Sequence, residues 1–593
     1  MVGIRAGGSR GTTSAWVRSA PWGLMLLAVL TGAGAGLGSI VFRWCIEQFT
    51  RLFSGHEDYA ADPGSAHPHL SWLGPFFVVL APVVGGLLYG PLVQRFAKEA
   101  RGHGVPEVML AVAQRGGRIS PKVAVVKTLA SALTIGSGGS VGREGPIVQV
   151  GSALGATMGR LVRADEGRLR LLVACGAAGG IAATFNAPLA GVFFAMELIL
   201  MTFSAEAFGA AVLSSVTASV IGRAAFGDVA FLELPAFHVD HLGQYGLFAV
   251  LGVVAGAVGV GFSRILYAIE DACDWLWRGP EWLRPAAGGL VLGLLLLALP
   301  QMYGVGYPVL ENATEGEYAV GFLLLLLVGK ILATSVTIGI GGSGGVFAPS
   351  LFMGAMLGAA YGAVLHQLLP NSAGAVGAYA LVGMGAVFAG ASRAPITAVV
   401  ILFELTGEYS IILSMMLAIA LATATGRLLS RDTVYTLKLR RRGIDLEGPA
   451  QGAPLGGQPV GSVMEALPEP LCASTPLTEA ADVLSLSGHG ALPVLDTAGR
   501  YAGVVTTRAV AEALSEQPDG APATAGDLVH RPPVVEPDEP LATALHSLAD
   551  SVGSGMPVLD PERGVPVGWL SHRSALRALH APAAAPAPES VPA

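Results

Sequence analysis

Gly142-Arg143-Glu144-Gly145-Pro146 stands between a glycine-rich turn and an apolar helical pattern, VQVGSALGATMG. Proline suits the first turn of a helix, and glycine lets backbone N–H groups come close to a ligand. A helix that starts this way offers free N–H groups and the positive end of its dipole, which is chemistry for an anion. Gly345-Val346-Phe347-Ala348-Pro349 has the same form later in the chain. Two such starts aimed at the middle of one protein predict an anion site built from main-chain donors. Glu144 is the one carboxylate in these two motifs. A carboxylate at an anion site can occupy it while charged and leave it when protonated, so Glu144 is the expected gate.

Both motifs belong to a longer internal repeat. Residues 127–146 (KTLASALTIGSGGSVGREGP) and 330–349 (KILATSVTIGIGGSGGVFAP) share 11 of 20 residues without a gap, including Lys127/Lys330 and Pro146/Pro349. A second pair, NAPLAGVFFAMEL (186–198) and RAPITAVVILFEL (393–405), follows. Internal symmetry in an apolar chain points to a transport fold whose halves meet around a site near the bilayer midplane. Where the copies differ, one has been given a task of its own. Glu144 faces Phe347 across the repeat, which marks the carboxylate as functional. Glu197 faces Glu404, so acidity there is shared and predicts a structural task.

The elements that position these residues must lie in a membrane. The chain has 593 residues, 52% apolar and 13% charged, against about 25% charged in soluble domains. Its net charge of −7 favours no nucleic-acid partner. Cys45, Cys175, Cys273 and Cys472 lie far apart, with neither metal nor disulfide spacing. No nucleophile set or metal set for an enzyme appears. The run at 21–42 reads as a first membrane helix. Arg5, Arg10 and Arg18 before it place the N-terminus (1–20) in the cytoplasm. The apolar piece 105–113 is too short to span and has basic flanks, so it should dip into the membrane and return.

The expected fold is therefore an all-α polytopic membrane protein with an inverted internal repeat and re-entrant helices, halves at about 21–228 and 243–442, closed by the basic run Lys438-Leu-Arg440-Arg441-Arg442. A Gly/Pro-rich linker (443–459) leads to two soluble α+β modules, 460–515 and 524–580, each reading strand, helix, strand, turn, strand, helix. An Ala/Pro-rich tail, 581–593, reads as disordered.

GREGP at 142–146, GVFAP at 345–349, GHGVP at 102–106, FNAPLAG at 185–191 and Tyr435 in VYTLKLRRRG closely resemble the CLC family of chloride channels and proton/chloride antiporters. The tandem modules resemble a CBS pair. The resemblance implies a multi-pass cell-membrane homodimer with one anion pathway per subunit and cytoplasmic CBS domains. It implies chloride held by the main-chain N–H groups of Val346 and Phe347 and by the Tyr435 hydroxyl, with Gly104, Gly142, Arg143, Gly145 and Gly345 shaping the site and Glu144 as gate. No metal is expected.

Two positions depart from the family pattern. Leu198 stands where many antiporters carry a proton-accepting glutamate, which leaves Glu197 as a substitute proton-pathway candidate. His103 stands where a chloride-binding serine is frequent; its ring can donate a hydrogen bond or carry charge. In the CBS pair, GVVTTRA (503–509) and GWLSHRS (568–574) carry Ala509 and Ser574 where a ribose-binding Asp is usual, so adenine nucleotide binding is unsupported. Leu198 tilts the expectation to a voltage- or pH-gated channel-like uniport of chloride. The alternative is a proton-coupled chloride antiporter; a fluoride exporter or a nucleotide sensor fits the residues less well.

Overall fold

The computed structural model describes residues 21–69, 71–227, 241–370, 374–407, 409–446, 458–515, 524–549, 551, 555–561 and 563–580. The N-terminal arginines, most of the linker and the 581–593 tail lie outside the described residues. The chain forms two compact units, Met1–Ile444 and Asp445–Ala593.

The first half of the membrane unit runs α1 (Pro21–Ser54), α2 (Phe77–Phe96), α3 (Val105–Gln114), α4 (Pro121–Gly136), α5 (Glu144–Leu161), α6 (Glu166–Phe185), α7 (Pro188–Phe194) and α8 (Ala205–Phe226). The second half runs α9 (Gly243–Leu276), α10 (Arg284–Ala298), α11 (Tyr307–Thr314), α12 (Val320–Gly339), α13 (Phe347–Leu368), α14 (Val376–Ser392), α15 (Pro395–Thr406) and α16 (Ile412–Leu429). A short α17 (Thr436–Arg440) follows. Each element of one half has its mate in the other, in the same order. Among the described residues, eight helices are long and apolar enough to cross a membrane. At ten residues, α3 rises only ~15 Å, half of a hydrocarbon core of ~30 Å. It is short, as the sequence predicts. Its mate α11, with eight residues, escapes a reading of hydropathy.

The innermost helices are buried on all sides. In α14, every residue from Gly377 to Ser392 is buried. Outer helices α1, α8, α9 and α16 show apolar side chains such as Leu26, Val220, Val253 and Leu413 on their surface, which suits lipid. Two inner crossings bring backbones into contact. A Cβ on Gly176 of α6 would stand 2.0 Å from the Gly151 carbonyl of α5, and one on Gly383 of α14 would stand 2.3 Å from the Gly354 carbonyl of α13. The same glycine contact is thus made once per half, as small-residue packing between membrane helices allows.

The inversion of the repeat is visible in its main chain. Gly142 N donates to Gly345 O at 2.8 Å, and Gly345 N donates to Gly142 O at 2.6 Å. These are equivalent residues of the two copies, and the bridge between them is antiparallel. An antiparallel pair of equivalent residues is what a local two-fold axis requires. The side chains obey it too: Ser140 N donates to Thr337 Oγ1 and Ser343 N to Thr134 Oγ1, both at 3.2 Å.

In the soluble unit, β1 (Leu471–Cys472) pairs parallel with β2 (Ala491–Leu495), which pairs antiparallel with β3 (Tyr501–Thr506). Helices α18 (Leu477–Ser487) and α19 (Thr507–Ser515) complete the first module. The second has β4 (Gly555–Leu559) antiparallel to β5 (Pro566–Ser571), with α20 (Leu541–Ala549) and α21 (His572–His580). Val535 bridges Val558 in parallel, as β1 does β2. At the β2–β3 turn, the amides of Arg500 and Ala498 donate to Asp496 Oδ1, both at 2.8 Å. The Arg500 bond leads in holding that carboxyl below the usual range. Trp569 of β5 is fully buried against Ala491 and Val504 of the first module, a small cluster that joins the two modules beside their separate cores.

Gly176→Ala and Gly383→Ala each force two helix backbones apart. Overpacking of this kind is worth roughly 1–3 kcal/mol, and each variant is expected to lower the apparent unfolding midpoint of the detergent-solubilised protein, the two by similar amounts. Midpoints equal to wild type would show that the crossings are looser than the carbonyl contacts require.

Candidate anion pathway

Glu144 opens α5, and Phe347 opens α13; the residues before them, Arg143 and Val346, take the N-cap positions. Because Gly142 and Gly345 pair directly, both helix starts are fixed at the local two-fold axis. Glycine is required at Gly145 by close approach to backbone. A Cβ on Gly145 would stand 2.2 Å from the His103 carbonyl, and one on Gly142 would stand 2.1 Å from Glu144 Oε2. Val346, Phe347 and Ala348 are buried. The Phe347 ring is wedged between Phe185 and Phe388, with centroids 5.5 and 4.4 Å away.

The Glu144 carboxylate is 1% exposed. Oε2 accepts from Ala348 N at 3.4 Å, and Oε1 accepts from the Tyr307 hydroxyl at 2.9 Å. The carboxylate therefore sits at the N-terminus of the other half's helix, where the sequence expects an anion. Ala348 and Tyr307 are the partners that sequence reasoning missed. The signal for Tyr307 was present: Gly304-Val-Gly-Tyr-Pro308 repeats Gly102-His-Gly-Val-Pro106. In both, the second glycine caps the following short helix with a positive φ, 80° at Gly104 and 86° at Gly306.

The paired lysines hold these loops. Lys127 Nζ donates to the carbonyls of Ala100 and Gly102 at 2.9 and 2.6 Å. Lys330 Nζ donates to those of Gly304 and Val305 at 3.1 and 2.9 Å. Both are fully buried. Each lysine binds the glycine loop that feeds its own half's short helix.

His103 is fully buried, with its ring 6.1 Å from that of Tyr435, itself 1% exposed. Its Nε2 lies 3.2 Å from the Tyr267 oxygen, and Tyr267 donates its proton to Val434 O at 2.6 Å. That network assigns the His103 proton to Nε2, where Tyr267 accepts it. Nδ1 is buried without a partner among the described residues. In the neutral ring it carries a lone pair, so it offers an anion no N–H.

Glu197 lies at the end of α7, where the helix continues as a wide turn over Ala195–Leu200. Its carboxylate accepts from Ile396 N, Thr397 N and Thr397 Oγ1 at 3.2, 2.8 and 2.7 Å, capping α15. Glu404 of α15 returns the contact, accepting from Leu189 N and Ala190 N of α7 at 2.9 and 2.7 Å. The pair is reciprocal, as its symmetry in the sequence predicts. Leu198 is buried. The closing basic run is largely neutralised: Arg440 pairs with Asp432 at 2.9 Å, Arg441 with Asp271, and Arg442 with Glu107.

A cavity of about 520 Å³ lies beside Arg143 and Tyr307, lined also by Arg43, Glu47, Asn186 and Tyr303 among others. In the CBS pair, the hydroxyl oxygens of Thr506 and Ser571 accept from Ala509 N and Ser574 N at 3.2 and 3.0 Å, tying each strand end to the start of the next helix.

Helix N-termini converging from inverted halves, with a buried carboxylate between them, define a membrane transporter or channel for anions. Residues 85–427 match the voltage gated chloride channel family, and residues 460–516 and 525–581 match the CBS domain. The chain belongs to that chloride channel family, commonly called CLC. A ClcB-like protein of Ralstonia nicotianae, named for a chloride channel, is 34% identical over 424 residues, 70% of this chain and 97% of the relative. The H(+)/Cl(-) exchange transporter ClcA of Vibrio parahaemolyticus is 33% identical, over 71% and 90% of the two chains. The crystal structure of a slow cyanobacterial Cl-/H+ antiporter superposes with a TM-score of 0.64 at 26% identity, over 71% and 97%.

If the Glu197/Glu404 pair is a mutual cap, Glu197→Gln and Glu404→Gln should each lose charge-assisted hydrogen bonds, worth about 1–3 kcal/mol. Both variants should unfold at lower temperature in detergent, by comparable amounts. A stable Glu197→Gln beside a destabilised Glu404→Gln would show the two carboxylates to be unequal.

Proposed function

We propose that this protein carries chloride across a membrane by proton-coupled exchange, with Glu144 as the gate. The observation that carries the reading is the Glu144 carboxylate itself, lodged among the donors Ala348 N and Tyr307 OH at the start of α13. Charged, it competes with chloride for main-chain donors. Protonated, it loses that attraction and opens the way. An intramembrane carboxylate is expensive and normally functional.

Exchange is favoured over the uniport expected from Leu198 because relatives about one-third identical over most of their length are named H(+)/Cl(-) exchange transporters. Leu198 still offers no proton acceptor, and the Glu197 carboxylate is engaged by α15, so the inward proton route has to run by another path, such as a water wire. Val346, Phe347 and Tyr435 complete the proposed chloride site. The reading includes a homodimer with one pathway per subunit, and an N-terminus and CBS domains in the cytoplasm. The CBS pair would act through protein contacts, since Ala509 and Ser574 supply no carboxylate for a ribose.

Reconstituted into liposomes, the wild type is expected to move protons uphill when a chloride gradient is imposed. Glu144→Gln should keep chloride flux, lose its pH dependence and move no protons. Rapid chloride flux without proton movement in the wild type would return the reading to uniport, and a Gln variant with wild-type pH dependence would remove Glu144 from the gate.

Calorimetric titration of the full chain with ATP or AMP should give no heat of binding in the micromolar range. Saturable micromolar binding would mean that other groups replace the missing carboxylates.

A further inference from the structure

The two halves differ at two places that touch each other. In the paired helix starts, Glu144 stands opposite Phe347. In the paired GxGxP loops, Tyr307 stands opposite Val105. Around these four positions the capping glycines, the lysine anchors and the Gly142–Gly345 bridge are repeated, while His103, Arg143 and Gly145 face Val305, Val346 and Ala348. Glu144 and Tyr307 come from different halves, and they meet in a 2.9 Å hydrogen bond from the Tyr307 hydroxyl to Glu144 Oε1.

Tyr307 is well placed for a specific task. It is the first residue of α11, behind a loop that Lys330 pins by two carbonyls. The Arg143 guanidinium lies 5.2 Å from its ring centroid. It also lines the 520 Å³ cavity, so Tyr307 borders both the buried carboxylate and that cavity. We propose that Tyr307 is a latch: it holds charged Glu144 in the anion site and so sets the pH at which the gate opens. This rests on the reading of Glu144 as the gate.

The charged and titratable groups facing Glu144 are Arg143 beside it, Tyr307 on α11, Lys330 on α12 and Tyr435 before α17. Of these, Tyr307 is the side chain that donates a hydrogen bond to the carboxylate. A donor to a carboxylate favours the charged form. Without the hydroxyl, Glu144 takes up a proton at higher pH and leaves the site sooner. Tyr307 is thus a positioning residue and need not touch chloride.

Tyr307→Phe keeps the ring and removes the donor. In liposomes carrying the full-length protein, chloride efflux is measured over a pH series for wild type, Tyr307→Phe, Glu144→Gln and the double variant. The pH of half-maximal flux should move to the alkaline side by about one unit in Tyr307→Phe, the tenfold change expected for one charge-assisted hydrogen bond. The acid plateau should equal that of wild type, because Glu144 is protonated there in both. In the Glu144→Gln background, the added Phe should change nothing. A Tyr307→Phe profile that overlays wild type, beside a flat Glu144→Gln profile, overturns the latch and leaves the gate standing. An alkaline shift of the same size in the Gln background, or loss of the acid plateau, also overturns it by giving Tyr307 a role apart from Glu144. Wild-type pH dependence in Glu144→Gln removes gate and latch together.

Discussion

Two glycine loops meeting main chain to main chain are the contact on which the rest of this membrane unit depends. Gly142 and Gly345 exchange both of their hydrogen bonds. No side chain separates the halves at that point, so the N-termini of α5 and α13 are brought to the same place from opposite directions. The free N–H groups there must be satisfied where little water reaches them. A charged group in the centre is the natural partner, and in this structure it is the carboxylate of Glu144. The demand for an anion therefore follows from backbone geometry before any side chain is considered.

Around that centre the protein applies symmetry wherever the task is structural. Lys127 and Lys330 each bind two loop carbonyls, Glu197 and Glu404 cap each other's helices, and glycines seat the same crossing in each half. These groups would be costly in a membrane if left unpaired; each has a partner that absorbs its charge or polarity. Burial of the two lysines near the helix starts invites a reading as attractants for anions. Their bonds to carbonyls show that much of their charge serves to hold the two GxGxP loops.

Asymmetry reaches the helix starts and the loops beside them. Phe347 fills with an aromatic ring the position that Glu144 fills with a carboxylate, so only one of the two helix starts carries an ionisable side chain of its own. His103 is a further departure, facing Val305 across the repeat. Its hydrogen bond to Tyr267, and through it to the Val434 carbonyl, fixes a ring that would otherwise be free to donate to an anion.

The sequence by itself determined the class of fold, the duplication and the positions of both helix starts. Those depend on local signals: apolar runs, a fixed repeat distance, and glycine and proline at set places. It also marked Glu144 by its mismatch with Phe347, and the Glu197/Glu404 pair by its match. Tertiary structure alone decided which groups meet. The bond between Glu144 and Tyr307 joins residues 163 positions apart, on helices whose approach is set by the packing of both halves. The short α11 was hidden because eight residues carry too weak a periodicity, although its GVGYP start repeats GHGVP. Whether His103 could serve an anion was likewise not legible, because a ring's donor is assigned by its neighbours, and Tyr267 arrives from a helix 164 residues away.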